Sequence, residues 1–199
     1  MAEISAGQDR SSQRDKIVRA TAQLLRQRGY AATGLSDIIE TSGAPKGSLY
    51  HYFPGGKDNI ALEALRYAGD KVQATLAELA GQEESAAAVL RRYGALVAGW
   101  MAESNFRDGC PIATTLLETA AEKSRTAEAG RSAFAGWTGV LREKLLQEGV
   151  ARARAERLAR LAVMALEGAL VFARVEGDAA PIIAAMEEVA DLMEREAAR

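Results

Sequence analysis

The chain of 199 residues holds one cysteine, Cys110, and one histidine, His51. A single thiol cannot close an intrachain disulfide, and one imidazole beside it falls short of the Cys/His set of a structural zinc site. Neither a metal site nor a cofactor is therefore expected. Prolines number only four, runs of β-branched residues are few, and Ala, Leu, Glu and Arg are abundant. Little interrupts helix formation, and the chain reads as all-α. The most apolar late stretch, 161–175, is broken by Glu167 and Arg174, so no membrane span is expected. No cationic apolar segment opens the sequence, which implies a cytoplasmic protein. The chain also lacks a P-loop, a dinucleotide fingerprint and a nucleophile elbow. A Cys110–His51 pair would have to join two different domains, so an enzyme is not expected.

What is present suits a soluble globular protein: 48% of residues are hydrophobic and 26% charged. The net charge of −2 conceals an asymmetry. Residues 1–57 carry eight Lys/Arg against five Asp/Glu, whereas 58–199 carry seventeen against twenty-two. The basic end is the one to search for a polyanion partner.

Periodicity divides the chain into about nine helices. Ser12 and Asp15 have the spacing of a capping box before the apolar face Ile17, Ala20, Thr21, Leu24 and Leu25, and Gly29 ends that first helix. A second helix over 35–41 takes Thr33 as its cap and buries Leu35, Ile38 and Ile39, with Gly43 supplying the turn. Pro45 fits the first turn of a third helix that runs to about Phe53. After Pro54-Gly55-Gly56 a long helix is expected over 58–80, then others near 85–104, 111–121, 125–148, 154–175 and 179–197. The domain boundary is placed at 57/58.

Two short helices joined by a glycine turn have the layout of a helix-turn-helix. In the second of them Leu49 and Phe53 lie four apart and belong on the packed face, leaving Lys46, Gly47, Tyr50 and His51 outward. Lys46 suits a phosphate or guanine O6/N7, and Tyr50 and His51 suit a thymine methyl or a phosphate. Gly47 is unfavourable in a helix by roughly 0.8–1 kcal/mol, a cost that close approach of backbone to a base edge would offset.

Gly29-Tyr30, Thr33, Leu35, Ile38, Gly43, the run 46–53 and Lys57 resemble the TetR family of one-component regulators. Residues 43–50, the Pro54-Gly55-Gly56-Lys57 hinge and the run 108–113 are similar to the branch containing LmrA and YxaF. The resemblance implies that Lys46, Gly47 and Tyr50 face the major groove and that Thr33, Ser48, Tyr52 and Lys57 approach phosphates of double-stranded operator DNA. It also implies that 58–199 form a helical ligand-binding and dimerisation domain, with the eighth and ninth helices at the homodimer interface. The chain departs from the common pattern at Pro45, where many members carry a capping Ser, and in the glycine pair before Lys57.

On those last two helices the apolar stripe includes Leu158, Leu161, Ala165, Gly168, Ala169 and Phe172, then Ile182, Met186 and Val189. Tyr67, Tyr93, Trp100, Met101, Phe106, Trp137 and Met164 lie on helices expected to surround an apolar pocket for a small hydrophobic or aromatic effector, with Glu118 and Glu167 as polar anchors. The expected function is a regulator, repressing from a palindromic operator until a ligand releases it. Two alternatives stay open: a DNA-binding dimer that needs no ligand, and a redox-sensing regulator through Cys110.

Overall fold

The computed structural model describes the backbone of residues 2–119 and 124–198, with side chains from Gln13 onward. Among the described residues there are nine helices and no strand. They are α1 (Ala2–Arg28), α2 (Leu35–Ser42), α3 (Lys46–Tyr52), α4 (Gly56–Gln82), α5 (Ala86–Glu103), α6 (Pro111–Thr119), α7 (Arg125–Gln147), α8 (Arg152–Glu176) and α9 (Ala180–Ala197). None of these is long and apolar enough to cross a membrane.

The chain divides into two compact units. The first holds Met1–Ala68 with Pro111–Gly130, and the second holds Gly69–Cys110 with Arg131–Arg199. The 57/58 boundary expected from the sequence falls inside the first unit, because the start of α4 and all of α6 pack there.

The first unit is built around Ile17, Val18, Leu24, Ile38, Ala44, Leu49, Phe53 and Ile60, all buried. These supply α1, α2, α3 and the start of α4 with one shared apolar centre. Each glycine turn has a physical reason. Gly29 and Gly43 sit at φ of +80° and +61°, a region costly for any residue with a Cβ. Gly43 caps α2 by donating its N–H to the carbonyls of Ile39 and Glu40.

Several local expectations are corrected. α1 begins at Ala2, ten residues before the expected cap at Ser12, because the stretch before Ser12 has no proline and a formed helix propagates through it in spite of Gly7. The N-cap of α2 is Gly34, whose N–H donates to the Asp37 carboxylate at 2.9 Å, and not Thr33. Pro45 precedes α3 as its N-cap, with ψ of 139°, and its carbonyl accepts the Ser48 N–H at 2.9 Å. The sixth helix was expected to reach 121, but residues 120 and 121 lie outside the described residues.

The second unit packs α5 against α9 and α8 against α9. Gly94 permits the first contact, since a Cβ there would lie 2.7 Å from the Met186 side chain. Arg91 on α5 reaches three carboxylates of α9: Glu187 and Asp191, each at 2.6 Å, and Glu194. Across the remaining helices the indole N–H of Trp137 donates to the Gly69 carbonyl at 3.0 Å, and the Lys144 ammonium donates to the Ala80 carbonyl at 3.1 Å.

Candidate nucleic-acid interface and sensory core

Helix α3 is amphipathic as its spacing required. Leu49 and Phe53 are buried in the core, while Lys46, Gly47, Tyr50 and His51 are exposed. Ser48 and Tyr52 are half-buried, Tyr52 packing on the core and meeting the His51 ring edge-on at 5.0 Å. Gly47 is informative because a Cβ added to it would meet nothing within 4 Å. Neither a neighbouring side chain nor a positive φ demands glycine there. The stability it costs is unexplained by the contacts of the fold.

Two of the expected phosphate contacts are engaged inside the protein. Thr33 is buried and its hydroxyl donates to the Gly29 carbonyl at 2.7 Å, so its side chain ties the turn between α1 and α2 instead of facing out. The Lys57 ammonium lies 4.3 Å from the centroid of the Tyr30 ring and donates to the Ala31 carbonyl at 3.3 Å. Tyr30 in turn donates its hydroxyl to Asp58. Burial, reinforced by that carboxylate, pushes the phenol up to about 12.

The residues expected to line an effector site do not all come together. Tyr93, Met101 and Trp137 are buried in the second unit, and Phe106 is half-buried there. Trp100 is 47% exposed and meets Tyr93 edge-on at 6.4 Å. Trp137 stacks its edge on Phe134 at 5.2 Å and commits its N–H to the backbone, which makes it a packing residue. Tyr67 belongs to the first unit and packs on the core there. Glu118 also belongs to the first unit, where its carboxylate accepts the backbone N–H groups of Tyr30 and Ala31. Met164 points outward, 57% exposed on α8.

What the structure does gather is Tyr93, Cys110 and Glu167. Burial raises the Glu167 carboxyl to about 7, and a hydrogen bond from the Cys110 thiol opposes that rise. Burial likewise raises the Tyr93 phenol, with Cys110 and Glu167 adding to it. Cys110 thus has an acid as its neighbour, the opposite of the cationic setting that activates a thiol. A separate open groove of about 560 Å³ runs along α4 and α7 over Ala77, Gly81, Gly136 and Gly139. The sequence reading did not single it out, although small residues spaced a helical turn apart on both helices were visible there.

Helix α8 has two apolar faces. Leu158, Ala162, Leu166, Ala169 and Ala173 are buried, whereas Leu161, Met164, Gly168, Val171, Phe172 and Val175 are exposed and Ala165 lies between. On α9 the expected interface residues Ile182, Met186 and Val189 are buried inside their own unit, as are Leu158 and Ala169 of α8. Those five fill the core of one chain, because an inward stripe and an outward stripe look alike in composition.

Comparison with known proteins agrees with this architecture. Residues 17–64 match the bacterial regulatory proteins of the tetR family, and residues 86–188 match the LmrA/YxaF-like transcriptional regulator C-terminal domain. An uncharacterised HTH-type transcriptional regulator of Mycobacterium tuberculosis, Rv0196, is 37% identical over 174 residues, covering 85% of this chain and 88% of the relative. The HTH-type transcriptional regulator LmrA of Bacillus subtilis is 29% identical, with 92% and 97% covered. A crystallised TetR transcriptional regulator from Chloroflexus aurantiacus superposes with a TM-score of 0.75 at 26% identity, covering 95% of this chain and 98% of its own. The chain belongs to the TetR family of helix-turn-helix transcriptional regulators, in the LmrA/YxaF-like branch, and is a regulator and not an enzyme.

Proposed function

We propose that the protein is a cytoplasmic, homodimeric repressor that grips a palindromic operator and is released by a small apolar or aromatic effector. Its DNA-reading part is 1–57, with Lys46, Gly47, Tyr50 and His51 on the groove-facing side of α3 and Ser48 and Tyr52 at its flank. What supports this most is Gly47, exposed in a helix where a Cβ would meet nothing of the protein within 4 Å. The residual stretch of α8, Leu161 to Val175, supplies an exposed apolar face suited to a second copy.

Helix α4 contributes residues to both units, and so is one covalent route from sensor to DNA reader. The effector site is placed around Tyr93, Met101 and Glu167, where a carboxyl near half-protonation at neutral pH accepts or donates as the ligand requires. An effector that spreads these helices changes the separation of the two α3 helices, which must meet major grooves about 34–36 Å apart.

Gly47→Leu is the direct test. Leucine raises helix propensity and its Cβ meets no neighbour on this exposed face, so the protein remains folded while operator affinity falls sharply. Unchanged affinity would remove α3 from the groove. For the effector, calorimetric titration of each candidate compound is run with and without operator. Weaker binding to the DNA complex identifies an inducer, since linkage is reciprocal, and equal affinity in both states marks a compound that carries no signal.

A further inference from the structure

The turn after α1 is built around a side chain from far along the chain. A Cβ at Gly29 would lie 2.1 Å from Oε1 of Glu118, so the glycine leaves room for a carboxylate as well as allowing a φ of +80°. That carboxylate spans two backbone donors: Oε1 accepts the Tyr30 N–H at 2.9 Å and Oε2 accepts the Ala31 N–H at 2.5 Å. One turn earlier on α6, the Thr114 hydroxyl donates to the Leu25 carbonyl at 2.9 Å. Helix α6 therefore grips the end of α1 at two levels.

Glu118 stands against local preference. It is exposed and it faces the C-terminal end of α1, so the negative end of that helix opposes its charge. The two charge-assisted bonds from Tyr30 and Ala31 offset that opposition. Glutamine cannot replace them, because it offers one acceptor and turns an amide donor towards the second N–H. The same three-residue turn also receives the Thr33 hydroxyl at Gly29 and the Lys57 ammonium at Ala31. Helix α2 starts just beyond it, with Gly34 as its cap, and α3 follows after one glycine turn.

We propose that Glu118 is a positioning residue for DNA binding. Carried on α6, it pins residues 29–31 and so fixes α2 and α3 in the arrangement that fits operator DNA; displacement of α6 loosens them. This deepens the repressor reading and rests on it. Pro111, the first residue of α6, follows Cys110, the partner of Glu167, so a change at that cluster reaches α6 along the chain.

The test compares the wild-type protein with E118Q, E118A and L117A, the last altering the neighbouring residue that is 89% exposed. An operator duplex is first selected from random DNA with the wild-type protein. Three quantities are then read for each variant: exchange of the Tyr30 and Ala31 amides, operator affinity of the folded dimer, and Tm. The expected result for E118Q and E118A is faster exchange at both amides and about a tenfold loss of operator affinity, with L117A unchanged. E118Q, close in size to the native side chain, answers the question if E118A fails to fold. Faster exchange with undiminished affinity overturns the proposal, since the carboxylate would then be only a structural cap. Unchanged exchange overturns it too, by removing the contact. If the wild-type protein itself selects no duplex, it is the DNA-binding reading beneath the proposal that fails.

Discussion

Replacing Phe172 with glutamate should take the dimer apart while leaving each chain folded. The ring is 62% exposed in the single chain, on the outward face of α8 beside Val171 and Val175. A phenylalanine side chain buries about 200 Å² when fully covered, so roughly 120 Å² remains available to a partner. At about 25 cal/mol per Å² that is roughly 3 kcal/mol per chain, and two-fold symmetry counts it twice. A micromolar dimer is held by about 8 kcal/mol, so losing roughly 6 leaves it dissociated at any practical concentration. Sedimentation of F172E across a concentration series should then give the mass of one chain, with helical circular dichroism unchanged. The control is L158A on the inward face of the same helix: Leu158 is fully buried, so its loss lowers unfolding stability by about 2–5 kcal/mol. If F172E stays dimeric while L158A falls apart, the assignment of the two faces is refuted.

Three further outcomes follow from individual contacts. Because the Glu167 carboxyl is raised from 4.5 to about 7, the folded state holds its proton more tightly than the unfolded state, and stability is lost as pH rises through that window. E167Q should therefore gain up to about 3 kcal/mol at pH 8 and nothing at pH 4, by denaturant titration; a gain independent of pH would contradict the assignment. K46A should reduce the log–log salt slope of operator binding by about one unit, and K57A by less, because the Lys57 ammonium is engaged with Tyr30 and Ala31. Equal slopes for K46A and the wild-type protein would remove Lys46 from the phosphates. Gly29→Ala should lower Tm through both its positive φ and its collision with the Glu118 carboxylate, and an unaltered Tm would mean the turn relaxes freely.

The amphipathic faces of α1, α2 and α3 were legible because each helix buries a single stripe, so Ile17, Ile38 and Leu49 declared themselves by period alone. The glycine turns were equally plain, since glycine adopts the positive φ at 29 and 43 at the least cost. Position within the fold was harder. Glu118 and Glu167 look alike in sequence, each an acid among apolar neighbours, yet one is exposed on backbone donors and the other is half-buried beside a thiol. The difference depends on contacts with residues 30 and 110, which no local pattern reports. Thr33 misled for a related reason: a threonine two residues before a helix resembles a cap, but its hydroxyl found the Gly29 carbonyl first. On α8 two apolar stripes share one helix, and only packing against α9 separates Leu158 from Leu161.

In the proposed repressor, two copies of this chain present α3 to successive major grooves of one operator. That arrangement is tested most directly by selecting duplexes from a random pool with the wild-type protein and sequencing what is retained. The expected product is a two-fold symmetric sequence with half-sites centred about one helical turn, or a whole number of turns, apart, and no such enrichment with G47L. Retention of DNA without symmetry, or the same enrichment with G47L, would contradict it.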